Sequence, residues 1–138
     1  MGDPYLEGLR VYDRLRREYD QYGKLIIAFD FDDTVFDTHN NGWKYYDVIK
    51  LLRRWKDHAY FICWSASLPE RYEFMYKHFA EYGIPCDAIN TNAPWISNRG
   101  PKIYANAYLD DRAGLPTIYS ALERLICEIE IKEESYNG

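Results

Sequence analysis

Residues 25–34 read LIIAFDFDDT, and this stretch decides the fold. Positions 25–31 are apolar except at Asp30. Such a short, nearly continuous run marks a strand buried on both faces, as in a parallel sheet. Working outward, YFICW at 60–64 is a second run of this kind, 88–91 a weaker third and AYL at 107–109 a fourth. A helix at about 4–22 precedes the first strand. Asp3 and Pro4 suit its start, Leu6, Leu9, Tyr12, Leu15 and Tyr19 recur at helical spacing, and Gly23 stops it. A second helix at 46–56 puts Val48, Leu51, Leu52 and Trp55 on one face. A third runs from the Ser67-Leu68-Pro69-Glu70 turn to Tyr82-Gly83, and the last spans 116–131. Strands alternating with helices predict an α/β fold, a doubly wound, Rossmann-like parallel sheet with helices on both faces.

A length of 138 residues fits one domain and is enough to bury a core without disulfide or metal staples. With 47% apolar and aromatic residues, the composition excludes a disordered chain. No apolar run approaches the ~18 residues of a membrane span, so no membrane partner is expected. The N-terminus lacks the basic-then-apolar layout of a signal peptide, which points to a cytoplasmic protein. Cys63, Cys86 and Cys127 are odd in number and form no CxxC, so they read as inert rather than as a disulfide framework or zinc site. Of the net charge of −5, residues 123–138 carry five acids against two bases. There is no strong nucleic-acid signal in this balance, because such binding needs a basic surface.

Ligands of open α/β sheets sit outside the carboxyl ends of the strands. The first strand ends in Asp30-Phe31-Asp32-Asp33-Thr34, the second in Ser65 and the fourth in Asp110-Asp111, with Lys102 in the loop before it. Carboxylates from two neighbouring strands repel unless a cation lies between them, and an all-oxygen set suits Mg²⁺. His39, His58 and His78 are scattered and read as surface or packing residues. Alternation along a strand sets Asp30 and Asp32 on the same side.

In this order the four segments resemble the motifs of the haloacid-dehalogenase-like (HAD) hydrolase superfamily. LIIAFDFDDT is similar to its apolar strand followed by Asp-x-Asp-x-Thr, FICWS to the strand ending in Ser or Thr, Lys102 to the third-motif lysine, and AYLDD to the acidic fourth motif. The likeness covers about residues 25–112. It implies a small phosphatase-type member, a Mg²⁺-dependent phosphomonoester hydrolase working through an aspartyl-phosphate intermediate. Asp30 is then the nucleophile and a metal ligand. Asp32 is general acid and then base, with its backbone carbonyl on the metal. Ser65 and Lys102 hold phosphoryl oxygens, and Asp110 binds metal directly. Asp111 binds it through water or orients its neighbours, and Thr34 fixes the turn. With Asp32 protonated, the pocket carries a net positive charge suited to a phosphate dianion.

Other residues have plainer readings. Asp33 and Asp37 are solvated loop acids, and Ser67 caps the following helix. Lys50, Arg53, Arg54 and Lys56 form a solvated face. Trp43, Tyr45, Tyr46 and Trp95 pack against the sheet edge. For Arg99 and Arg112, substrate contact and a surface role weigh equally.

Thirty residues separate Thr34 from Ser65 and 36 separate Ser65 from Lys102, which leaves no room for the cap domain that relatives often insert. Residues 1–138 are thus expected to be a single capless domain with an extra N-terminal helix. An open rim implies a phosphorylated substrate large enough to cover the site, or a second subunit in a homo-oligomer. Two alternatives remain open: a polynucleotide 3′-phosphatase, and a receiver-like domain that binds phosphate and Mg²⁺ without catalysis.

Overall fold

A computed structural model of the chain describes residues 2–97 and 100–137. It is a mixed α/β structure. Four parallel strands, β1 (Leu25–Phe29), β2 (Ala59–Cys63), β3 (Ala88–Ile89) and β4 (Ala107–Leu109), lie in the order β3-β2-β1-β4. Helices α1 (Gly8–Tyr22), α2 (Tyr46–Arg54), α3 (Tyr72–Tyr82) and α4 (Leu115–Asn137) flank the sheet. β1 has a strand on each side and every residue buried, which accounts for its unbroken apolar run.

Side-chain alternation divides the core in two. Leu25, Ile27 and Phe29 point into the main cluster, to which all four helices contribute, among them Leu15, Leu52, Phe79 and Leu125. Ile26 and Ala28 point the other way, onto Ile62, Ala93, Ile103 and Ala105. The expectation of helices on both faces is therefore corrected. Among the described residues, the second face is packed by the connection between β3 and β4. That connection must cross to this side to reach β4 by a right-handed path. Pro94, Gly100 and Pro101 keep it from forming a helix.

Other elements also differ from their sequence pattern. The N-terminal helix breaks into a short 3-10 turn at Pro4–Leu6, capped by Asp3, followed by α1. Leu6 and Leu9 are 83% and 78% exposed, so only the C-terminal part of the predicted stripe reaches the core, through Leu15. α4 runs on past the end of its apolar stripe because residues 132–135 contain no helix breaker. Arg54 is not a solvated cation: it pairs with Glu123 and Glu130 at 2.8 and 2.7 Å and ties α2 to α4. Trp43 and Tyr46, expected to pack, are 64% and 54% exposed. Trp95 is exposed too, with its ring edge-on to Tyr60. No helix among the described residues is long and apolar enough to cross a membrane.

Asn106, nearly fully buried just before β4, joins three elements. Its Oδ1 accepts the Ile26 N–H at 2.6 Å, and its Nδ2 donates to Glu18 of α1 at 2.8 Å. Asn106→Ala strands a buried donor in β1. We expect it to cost about 1–3 kcal/mol, read as a lower urea midpoint with unchanged slope.

Candidate functional site

Strand register assembles the site. Phe29 pairs with Cys63 on one side and Leu109 on the other, so β1, β2 and β4 end level. The residues that follow are Asp30, Trp64 and Asp110, and backbone bonds hold the first two there. The Asp30 N–H donates to the Leu109 carbonyl at 2.9 Å and the Trp64 N–H to that of Phe29 at 2.8 Å. β1 and β4 also flank the point where the chain reverses its progress across the sheet, the usual place for a ligand crevice.

After β1 the backbone winds tightly around one oxygen. The Phe31 carbonyl accepts the N–H groups of Thr34, Val35 and Phe36, and Asp33 takes a left-handed conformation at φ 60°. Asp tolerates that region better than most residues. Thr34 is fully buried, and its Oγ1 accepts the Asp111 N–H at 3.2 Å. It therefore locks the first motif to the end of β4 as well as fixing its own turn.

Asp30, Asp110 and Asp111 each present a carboxylate oxygen within 4.8 Å of the others. Burial first, then the Asp110 charge and a hydrogen bond with Asp111, push the Asp30 carboxyl up to about 7. Three converging carboxylates, with the Asp30 carboxyl raised, fit a hard divalent cation, whose charge would offset the repulsion. The cavity outside these strand ends has a volume of about 550 Å³, and Asp32 and Ser65 also line it.

Asp32 lies in a different electrostatic setting. Arg71 donates to both its oxygens at 2.9 Å, and the Thr38 hydroxyl donates to Oδ1. Burial alone would raise its pKa, but the Arg71 and Thr38 bonds outweigh that and hold the carboxyl below its ordinary value. In this arrangement the Arg71 guanidinium supplies the positive charge that faces Asp32.

Ser65 is held by Asn90, which follows β3 at φ 55°. Asn90 Oδ1 accepts the Ser65 N–H and its Nδ2 donates to the Ser65 carbonyl, both at 2.8 Å. The Ser65 hydroxyl donates to Ser67 Oγ at 2.9 Å. Ser67 is not the helix cap, a place taken by Leu68; its Oγ accepts from Arg71. Lys102 lines the neighbouring cavity, which shares Trp64 and Asp110 with the first, and its Nζ lies 5.6 Å from the Tyr108 ring centre. Arg112 lines the main cavity, and Arg99 falls outside the described residues.

Asp33 and Asp37 are bound into the loop rather than simply solvated. Asp33 pairs with His39 at 3.1 Å, and Asp37 accepts the Asn41 and Gly42 N–H groups. His58 and His78 have separate partners, Glu133 and the Val35 carbonyl. Sequence reading missed Arg71, Asn90 and Thr38. Arg71 carried a usable signal, since it stands four residues after Ser67 in the turn that opens α3.

No family model matches the chain. Matrix metalloproteinase-21 of Mus musculus is 26% identical over 143 residues, which span 88% of this chain and 25% of that protein. The chain thus spans about a quarter of the length of this curated relative. A solved structure described as the conserved protein coded by a locus from Bacteroides thetaiotaomicron superposes with a TM-score of 0.60 at 22% identity, covering 73% of this chain and 91% of the other. That likeness concerns the fold alone.

The raised pKa of Asp30 yields a stability test. The folded chain keeps a proton there that the unfolded chain releases near its ordinary value of 3.8. This stabilisation is complete below that value and is lost as pH rises through about 7. Without added metal, Asp30→Asn should be more stable than wild type at pH 8.5, by on the order of 2 kcal/mol after allowance for solvent screening. At pH 5 the gap should shrink to less than half of that, since the unfolded chain is already ionised there while the folded chain keeps its proton. A variant less stable at pH 8.5 would contradict the assigned repulsion.

Proposed function

We propose that the chain is a Mg²⁺-dependent phosphomonoester hydrolase of the HAD-like type, a doubly wound domain without a cap. The observation that carries this reading is the meeting of Asp30, Asp110 and Asp111 at the level ends of β1 and β4, beside Ser65 in one cavity. The motif order of the sequence supports it. So does the strand order, in which the chain winds outward from β1 in both directions. The free cysteines accord with a cytoplasmic setting. A metalloproteinase-like reading has less support, because the candidate metal group is made of aspartates.

Asp30, Asp110 and the Asp32 backbone carbonyl would hold Mg²⁺, with Asp111 reaching it through water or orienting its neighbours. When bound, the ion supplies positive charge against the phosphoryl oxygens. An Asp30 carboxylate oxygen attacks phosphorus, and the bond to the leaving oxygen breaks with its electron pair going to that oxygen. Asp32 first takes a proton from solvent, which opens one bond of its fork with Arg71, and then passes that proton to the leaving oxygen. Ser65 and Lys102 steady the phosphoryl oxygens. Water then attacks the aspartyl-phosphate, Asp32 takes its proton, and Asp30 leaves as a carboxylate.

Purified protein should hydrolyse phosphate esters with Mg²⁺, lose activity in excess chelator and regain it on readdition. Asp30→Asn should retain less than about a tenth of the wild-type rate, a loss above ~1.4 kcal/mol in barrier terms. Activity undiminished by chelator or by Asp30→Asn would refute the mechanism, and labelling by a small phosphodonor without ester turnover would favour the receiver-like alternative.

An uncapped rim implies loose binding of small esters. Their Michaelis constants should lie toward or above the upper end of the usual ~1 μM–1 mM range, with lower values for phosphorylated macromolecules or oligonucleotide ends. The check is a substrate panel with oligomeric state measured alongside. A monomer with micromolar constants for one small metabolite would overturn the open-site view.

A further inference from the structure

Arg71 closes the short turn Pro69–Arg71 that leads into α3, and it makes more directed contacts than a surface arginine needs. Its Nη1 and Nη2 donate to Asp32 Oδ2 and Oδ1, each at 2.9 Å, and Nη1 also donates to Ser67 Oγ at 2.9 Å. Ser67 Oγ in turn accepts the Ser65 hydroxyl at 2.9 Å. The guanidinium carbon lies 5.1, 5.8 and 5.9 Å from the ring centres of Phe31, Phe36 and Phe74. Three rings and three acceptors leave the planar group little freedom. Arg71 and Asp32 remain 33% and 35% exposed, so the fork stands at the edge of the cavity that Asp32 lines, where it can set the direction of the Asp32 carboxylate toward a bound group.

We propose that Arg71 is a positioning residue for the hydrolytic half of the reaction: it holds Asp32 as the proton acceptor for the attacking water and links it, through Ser67, to Ser65. The inference rests on the phosphatase reading above. Asp32 Oδ1 accepts both Arg71 and the Thr38 hydroxyl, while Oδ2 accepts Arg71 alone and keeps a lone pair for a further proton; a carboxylate so held has no O–H to give. The arrangement seen is thus that of the base. Water oxygen bonds to phosphorus, its proton passes to Asp32, and the bond from phosphorus to Asp30 breaks with the electron pair returning to Asp30. Inorganic phosphate leaves. Arg71 touches neither the water nor the phosphoryl group; it fixes the plane in which Asp32 receives the proton.

The test uses full-length protein and p-nitrophenyl phosphate, whose leaving group needs no proton. Arg71→Met should lower kcat about 10–100-fold, the scale of a misplaced base. KM should fall with it, leaving kcat/KM within about threefold, because formation of the aspartyl-phosphate is spared. The phosphoenzyme should accumulate on acid quench, with a nitrophenolate burst approaching one per enzyme. On an Asp32→Asn background the same substitution should change kcat less than about threefold, since the residue it positions is already lost. Equal losses in both backgrounds, a kcat/KM that falls as far as kcat, or a raised KM at unchanged kcat would overturn the proposal. If Arg71→Met fails to fold, Arg71→Lys carries the same test, as it keeps the charge and loses the fork. Asp30-dependent turnover with Arg71 variants indistinguishable from wild type sinks this inference alone. Wild-type protein without Asp30-dependent turnover sinks the phosphatase reading and this inference together.

Discussion

The level endings of β1, β2 and β4 are the constraint on which the site depends. Because Phe29, Cys63 and Leu109 share one register, Asp30 and Asp110 emerge side by side. Nothing in the backbone lets them separate, since the Asp30 N–H is bonded to the Leu109 carbonyl. Thr34 then draws Asp111 in through its backbone N–H. The apolar core thereby sustains an arrangement of like charges that would disperse in a loop. A cation or a proton would relieve this repulsion.

Asp30 and Asp32 are two residues apart and electrostatically opposite. Burial and then carboxylate neighbours lift the pKa of Asp30, while an arginine fork outweighs burial and lowers that of Asp32. Environments that drive apart the protonation of two like groups are how one site comes to hold groups with different tasks. The difference originates in the turn around the Phe31 carbonyl, which carries Asp32 toward the start of α3 and leaves Asp30 against β4.

Much of the fold was legible because burial imposes period and length. The apolar runs at β1 and β2 can sit only inside a sheet, and their ends announce Asp30 and Ser65, as the end of β4 announces Asp110. The second face was less legible. Ala93, Ile96, Ile103 and Ala105 have no period, so nothing in the sequence marks them as the cover for Ile26 and Ala28. Tyrosine and tryptophan misled for the opposite reason. Trp43 and Tyr46 look like core, but the main cluster is already filled by Trp55 and Phe79. Alternation was also carried too far, since β1 ends at Phe29 and the Asp30–Asp32 spacing belongs to a turn. Arg71 and Asn90 act through partners 39 and 25 residues away, a relation that local pattern does not encode.

These failures follow one physical line. Apolar contacts are additive and undirected, so a string of residues betrays them. Polar contacts depend on angle and on which distant groups arrive, so they appear only once the chain is folded. On the proposed reading, the strand ends specify phosphate chemistry and little else. Discrimination among substrates must then come from groups around the open rim, and Trp64 is placed for it, standing between the two cavities with Tyr108 against its ring. Trp64 sits there because it follows Cys63 at the level edge of the sheet, so the register that brings Asp30 to Asp110 also sets an aromatic wall beside them.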